Sequence, residues 1–295
     1  MEFLSLLEEK TVLLFDGSLG TELMRRGLKQ GTLPDVWNLE KPEIIKEVFE
    51  QYYLAGSDLV QTATFQANGV ALKKHGIEKI EEINETSAKI LKSVCPENAC
   101  LIGDIGPSGE FLPPVGKASL DDMQNGFQVQ AKALERYVDA YHLETFSDLQ
   151  EMKAAITAVK NESNKPIIAS MTYKKAPKGF FTVMGNSVQE CNKEFQTLGV
   201  SVVGANCTLG SQDFIELAKV LRSITPDIPI SVKPNAGQPE LEGGVLVYKQ
   251  KPEDFANDLK PVLEYGVQII GGCCGTNSSH IKLLRKEIDD YIQRR

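Results

Sequence analysis

Cysteine is sparse, six residues in 295. At that density disulfides cannot staple the fold as they do in small secreted scaffolds, and the thiols are free, catalytic or metal-bound. Long apolar runs are missing too. No window approaches the roughly 18 apolar residues of a bilayer span, so no membrane partner is expected. The opening "MEFLSLLEEK" lacks the basic start and small-residue cleavage site of a secretory signal, and the expected location is cytoplasmic. Positive charge is in deficit: 32 Lys and Arg stand against 40 Asp and Glu, a net charge of −8. Basic residues run no further than pairs such as Arg25-Arg26 and Lys73-Lys74. Such a surface repels a polyanion, which argues against nucleic acid as a partner. No Pro-, Gly- or Ser-rich linker and no low-complexity segment divides the chain. Residues 1–295 therefore read as one domain, and 42 % hydrophobic residues can fill a large core.

What is present is a rhythm. Short apolar runs recur at 12–16 ("VLLFD"), 58–64 ("DLVQTAT"), 100–106 ("CLIGDIG"), 138–144 ("VDAYHLE"), 166–172 ("PIIASMT"), 201–207 ("SVVGANC"), 228–234 ("IPISVKP") and 267–274 ("VQIIGGCC"). Most are continuous, as strands buried on both faces must be. Between them lie stretches with helical spacing, among them "PEIIKEVFEQYYLAG", "EKIEEINETSAKILKSV", "SDLQEMKAAITAVKN" and "PEDFANDLKPVLEYG". Several open on a polar cap or Pro-Glu, with acids in the first turn. Eight strand–helix units predict an α/β fold of the (β/α)8 TIM-barrel type, with an open doubly wound sheet as the rival. The runs 107–120 and 234–248 are long enough to form a functional rim.

In such barrels the chemistry sits at the C-terminal strand ends. Run one ends at Asp16, followed by Gly17-Ser18; run four at Glu144; run five at Thr172; run six at Asn206-Cys207; run eight at Cys273-Cys274. Two carboxylates and three cysteines are thus expected on one rim. Zinc favours tetrahedral sulfur ligation, and three thiolates would leave one corner open, the mark of a catalytic site. The flanking glycines permit the turn that adjacent ligands need. A packed or redox-active thiol pair remains the alternative at this point. Cys95 and Cys100 flank "CPENAC", which reads as a plain connection rather than a ligand pair, and Cys191 reads as helix packing.

The segments "FDGSLGTEL", "GDIGPSG", "ETFSD", "GANCTLG", "KPNAG" and "GGCCGT" resemble, in this order and over about residues 10–285, the homocysteine S-methyltransferase family. The likeness is strongest to the homocysteine-binding module of cobalamin-dependent methionine synthase. It implies a (β/α)8 barrel with Zn(2+) held by Cys207, Cys273 and Cys274, homocysteine bound through its sulfur, and its amino group held by Asp16 and Glu144. Backbone N–H groups around Gly17 and Ser18 suit the homocysteine carboxylate. A free thiol has a pKa of about 8.5, so ligation to a metal is a direct way to ionise it at neutral pH.

Taken without that resemblance, Asp16 reads first as a turn residue, and Glu144 equally as a carboxylate that pairs with a lysine. Asn206 orders the Cys207 turn, Thr172 lines the pocket, and His142 is an interior histidine with its hydrogen bonds satisfied. The chain departs from the family at Lys233, where relatives often carry glutamate, and at Tyr141-His142, where they are usually aliphatic. Both departures bear on acceptor or donor rather than on zinc. The expected activity is methionine formation, with methyl drawn from a methylated corrinoid on a separate protein, because the chain ends soon after its eighth strand. The alternatives are a small donor, S-methylmethionine or a betaine, and a non-catalytic zinc scaffold.

Overall fold

Runs of Leu, Ile and Val between polar turns set up strands that cannot face water on either side, and a closed ring is one way to cover both faces. In the computed structural model, which describes residues 2–29, 31–243 and 245–295, eight strands are parallel. They are β1 (Leu13–Leu14), β2 (Leu59–Gln61), β3 (Cys100–Ile105), β4 (Ala140–Phe146), β5 (Ile167–Met171), β6 (Val202–Gly210), β7 (Ile230–Asn235) and β8 (Ile269–Ile270). They are hydrogen-bonded in the order β1-β8-β7-β6-β5-β4-β3-β2. A parallel bridge between Phe15 and Leu59 joins the two ends, and the Asp58 N–H donates to the Leu14 carbonyl at 2.8 Å. The open sheet is therefore excluded, and the fold is a (β/α)8 barrel.

Helices cover the outside. Residues 42–54, 80–94, 149–162, 211–224 and 252–264 are helical, as their spacing predicts, and each turns its apolar face inward. Asp148 caps its helix through its side chain, and Ser187 with Glu190 forms a reciprocal capping box. The helix Phe3–Glu9 has a different task. Phe3 and Leu6 pack with Leu13, Phe15, Ile102, Ile168 and Ile269, closing the N-terminal end of the barrel from inside. Cys191 lies fully buried in the helix Val188–Thr197, and Cys100 opens β3, so neither stands at the strand C-termini.

β1, β2 and β8 are shorter than the apolar runs that predict them, whereas β6 outruns its own. β8 ends at Ile270, so Cys273 and Cys274 occupy a turn beyond it rather than its last positions. Gly271 N–H still bonds Val232 O and Gly272 N–H bonds Asp16 O, after which the chain bends over the mouth. The 234–248 segment is not plain loop. It carries an antiparallel hairpin, Glu240–Glu242 with Val245–Val247, and its Gly244 lies outside the described residues. A second hairpin, Lys174–Ala176 with Gly179–Phe181, follows β5 and was not expected.

Period-two alternation divides the interior by depth. Near the N-terminal end the inward side chains are apolar. One turn of pleat further on they are Gln61, Asp104, His142, Glu144, Ser170, Asn206 and Lys233, all buried.

Outside this layer, Asp35 in the turn Pro34–Val36 accepts from the Gln66 N–H at 2.9 Å, while its other carboxylate oxygen is buried without a partner. Burial pushes its pKa up to about 6, against the hydrogen bond from Gln66 that lowers it. The unfolded chain ionises near pH 4, so the cost of this group is absent below that pH, grows between the two values, and is complete above the folded value. Asp35→Asn keeps an acceptor for Gln66 and removes the charge. The variant should gain on the order of 2 kcal/mol over the parent at pH 7.5 and much less at pH 4.5. Urea midpoints at both pH values decide; an equal difference at the two refutes the assignment.

Candidate active site

The mouth of the barrel is shaped by two irregular strand ends. The register of β4 against β5 shifts between Leu143 and Phe146, and that of β6 against β7 shifts between Asn206 and Gly210. Among the described residues, the only non-glycine positions with positive φ lie there: Thr145 at 65°, Cys207 at 59° and Thr208 at 60°. Such conformations cost roughly 1 kcal/mol or more each and need outside support. Asn206 supplies it. Its Oδ1 accepts from the Thr145 N–H at 2.8 Å, and its Nδ2 donates to Thr145 Oγ1 at 2.7 Å and Glu144 Oε2 at 3.1 Å. One amide on β6 therefore fixes the β4 bulge and orients a carboxylate.

The kink at Cys207 brings its thiol to the turn after β8. Cys207, Cys273 and Cys274 place their sulfurs within 4.8 Å of one another, with Cys207 to Cys274 at 3.8 Å. The Cys273–Cys274 turn is held to β7 by Cys273 N–H to Pro234 O at 2.8 Å and Ala236 N–H to Cys274 O at 2.9 Å. Gly275 has φ 83°, and a Cβ there would meet Tyr248 Cβ at 2.3 Å, so only glycine lets the rim tyrosine close on this turn. The three thiols share charge unequally. Hydrogen bonds from Cys207 and Cys273 hold Cys274 well below the usual thiol range, and Cys207 is pushed up to about 12.

Across the mouth lies a second cluster. Lys233, 2 % exposed, donates to Asp16 Oδ1 at 2.8 Å and Gln61 Oε1 at 2.9 Å, with Glu144 Oε2 at 3.9 Å. Its ammonium also sits 4.0 Å from the Phe15 ring centroid. Gln61 passes the network on: its Nε2 donates to Glu144 Oε1 at 3.0 Å, and its backbone N–H to Asp16 Oδ2 at 2.8 Å. Burial raises the pKa of both Asp16 and Glu144, and the Lys233 charge pulls each back down. Burial also works against the Lys233 ammonium, but Asp16 and then Glu144 outweigh it and its pKa lies above the ordinary value. Asp104 has one buried oxygen without a partner, and burial followed by the Glu144 charge raises its pKa well above the usual carboxylate range.

The sequence therefore located Asp16, Glu144, Asn206 and the three cysteines at one mouth, and the structure brings them together. Gly17 and Ser18 follow Asp16 in the turn, but they are not equivalent. The Ser18 N–H is engaged by Thr276 Oγ1 at 3.1 Å and its hydroxyl accepts from the Thr21 N–H, whereas the Gly17 N–H has no acceptor among the described residues. Thr172 turns its hydroxyl to the Phe146 carbonyl at 3.4 Å. His142 is a satisfied interior residue, with Nδ1 against Gln61 Oε1 at 3.1 Å and Nε2 against Ser170 Oγ at 2.9 Å. Gln61 and Asp104 were missed. For Asp104 the signal was there: it is a polar residue inside the otherwise apolar run 100–106, at inward parity.

Asn206→Ala should destabilise the fold by about 2 kcal/mol, since it leaves the Thr145 turn and one Glu144 oxygen without their partner. Chemical denaturation measures it. A change within about 0.5 kcal/mol of zero would show that Asn206 does not hold the β4 bulge.

Comparison with known proteins agrees with this geometry. Methionine synthases of Mycobacterium leprae and Mycobacterium tuberculosis are each 29 % identical over 92 % of the chain, and the chain spans 24 % of their length. The metallated form of the homocysteine methyltransferase MmuM from Escherichia coli superposes with a TM-score of 0.79, covering 96 % of this chain and 98 % of that one at 23 % identity, which shows a common fold. Residues 13–288 match the sequence profile of homocysteine S-methyltransferases. With nearly the whole barrel inside that match, the chain belongs to the homocysteine S-methyltransferase family, enzymes of S-methyl transfer to homocysteine.

Proposed function

We propose that residues 1–295 form the homocysteine-binding barrel of a zinc-dependent methyltransferase that makes methionine, with a methylated corrinoid carried outside these residues as donor. The observation that carries the reading is the convergence of three thiols at the mouth that also holds the Asp16 and Glu144 carboxylates. Three thiols match the soft-ligand preference of zinc. Asn235 adds a further sign of fit: its Oδ1 is buried without a partner, on β7 between the two residues that bond the Cys273–Cys274 backbone. Cys207, Cys273 and Cys274 would hold the ion. When bound, zinc supplies a Lewis acid that keeps an acceptor sulfur ionised near neutral pH.

The other roles fall to this chain's own side chains. Glu144, fixed by Gln61 and Asn206, and Asp16 form, with Lys233 between them, the wall on the side of the acceptor's amino group. The free Gly17 N–H suits its carboxylate, with Ser18 ordering that turn. Thr172 and Asn206 wall the pocket. No helix of the described residues is long and apolar enough to cross a membrane, and six cysteines in 295 residues suit a reducing, cytoplasmic setting. For the donor, the rim carries exposed apolar side chains on three separate connections: Phe111 and Val115, Val183, and Leu241 and Leu246. A wide apolar rim suits a bulky partner better than a small free donor.

The purified protein should hold one zinc per chain. Cys273→Ser should lose it, while Cys95→Ser and Cys191→Ser retain it; full zinc occupancy in Cys273→Ser rejects the ligand set. For the donor, a single-turnover assay with homocysteine should show slow methyl transfer from free methylcobalamin, which lacks the docking contacts that position the methyl group. Rapid transfer from S-methylmethionine or glycine betaine, with none from methylcobalamin, rejects the corrinoid route.

A further inference from the structure

The ammonium place between Asp16 and Glu144 is already filled by the protein. Lys233 Nζ is met by a carboxylate at 2.8 Å, an amide oxygen at 2.9 Å and an aromatic face at 4.0 Å, with a second carboxylate at 3.9 Å. That is the full set of partners by which a protein recognises an alkylammonium group. The lysine cannot leave easily. It is 2 % exposed, it rises from the middle of β7, and its release would strip Asp16 of a buried counter-charge. Each oxygen of the two carboxylates has a protein donor. Asp16 Oδ1 takes Lys233 and Oδ2 the Gln61 N–H; Glu144 Oε1 takes Gln61 Nε2 and Oε2 takes Asn206 Nδ2. An incoming amino group thus meets carboxylates that are already solvated by the protein, and it meets a like charge beside them.

We propose that Lys233 is a specificity-determining residue: its ammonium stands in for the amino group of the acceptor, so the site selects its acceptor by thiol and carboxylate and depends little on the α-amino group. The inference rests on the acceptor reading above and extends it. The chemical class admitted is short thiols carrying a carboxylate three carbons from sulfur, with or without the amino group. Without Lys233 the same two carboxylates would be uncompensated, and the acceptor's ammonium would be the one cation able to neutralise them. Amino-group dependence would then be strong.

The test compares L-homocysteine with 4-mercaptobutanoate, which differs from it by the amino group alone. Calorimetric titration of the zinc-loaded protein should give dissociation constants within about tenfold of each other, where a desolvated charge pair usually separates such ligands by more. A preference for homocysteine above tenfold overturns the inference while leaving the acceptor reading intact. Failure of homocysteine itself to bind overturns the acceptor reading, and the inference with it. The Lys233→Met variant should increase the homocysteine preference at least tenfold over the parent; an unchanged preference overturns the inference. Should that variant not fold, the comparison in the parent protein decides alone.

Discussion

A closed barrel gives an inward side chain no access to water except through its mouth, so each inward polar atom must find a protein partner or carry an energetic cost. The structure depends on how this constraint is met. At the N-terminal end it is avoided: the inward residues are apolar and the helix Phe3–Glu9 seals them. At the C-terminal end it is met largely by a network through Lys233, Gln61, Glu144 and His142, while one oxygen of Asp104 stays without a partner. The boundary between the halves falls at Phe15, which packs in the apolar cluster and presents its ring to the Lys233 ammonium.

The same constraint explains the strained strand ends. Regular β4 and β6 would continue alternating inward and outward, sending Thr145 and Cys207 toward the helices. A bulge re-aims the chain at the cost of a left-handed residue. At Thr145 the cost is borne where one amide, Asn206, holds the turn, and the same Nδ2 reaches Glu144 Oε2 at 3.1 Å and Cys273 Sγ at 3.8 Å. Geometry at the thiols and orientation of Glu144 are therefore coupled: whatever displaces Asn206 moves both.

The barrel was legible because its strands are buried on both faces and its helices on one, and these periods survive in the residues themselves. The mouth was legible only in part. Strand ends named Asp16, Glu144 and the cysteines, since a polar residue closing an apolar run has few reasons to be there. The Lys233–Asp16 pair was not, because the two are 217 positions apart and nothing local marks them as neighbours. The hairpins after β5 and β7 escaped for the opposite reason: their strands are three residues each and mostly exposed, so they carry no alternation to read. That the helix Phe3–Glu9 closes the barrel was not foreseen either, since seven residues show too little periodicity to place it.

The direction of every hydrogen bond in the network follows from one fact, that an ammonium can only donate. Lys233 must therefore face the oxygen of Gln61, which turns the Gln61 nitrogen to Glu144. With that oxygen taken as acceptor, His142 Nδ1 must carry a proton, and burial together with the Lys233 charge keeps the ring neutral, so its Nε2 is bare. Ser170 must then donate to Nε2. The serine can take that position only because Gly204 stands beside it, where a Cβ would lie 2.5 Å from Ser170 Oγ. A charge at the mouth thus dictates the tautomer of a histidine below it and the need for a glycine two strands away. The residues that set Lys233 apart from a plain ion pair are the ones that make its position non-negotiable. Exchanging Lys233 alone would leave Gln61 free to flip, His142 free to change tautomer, and Glu144 without its fixed donor.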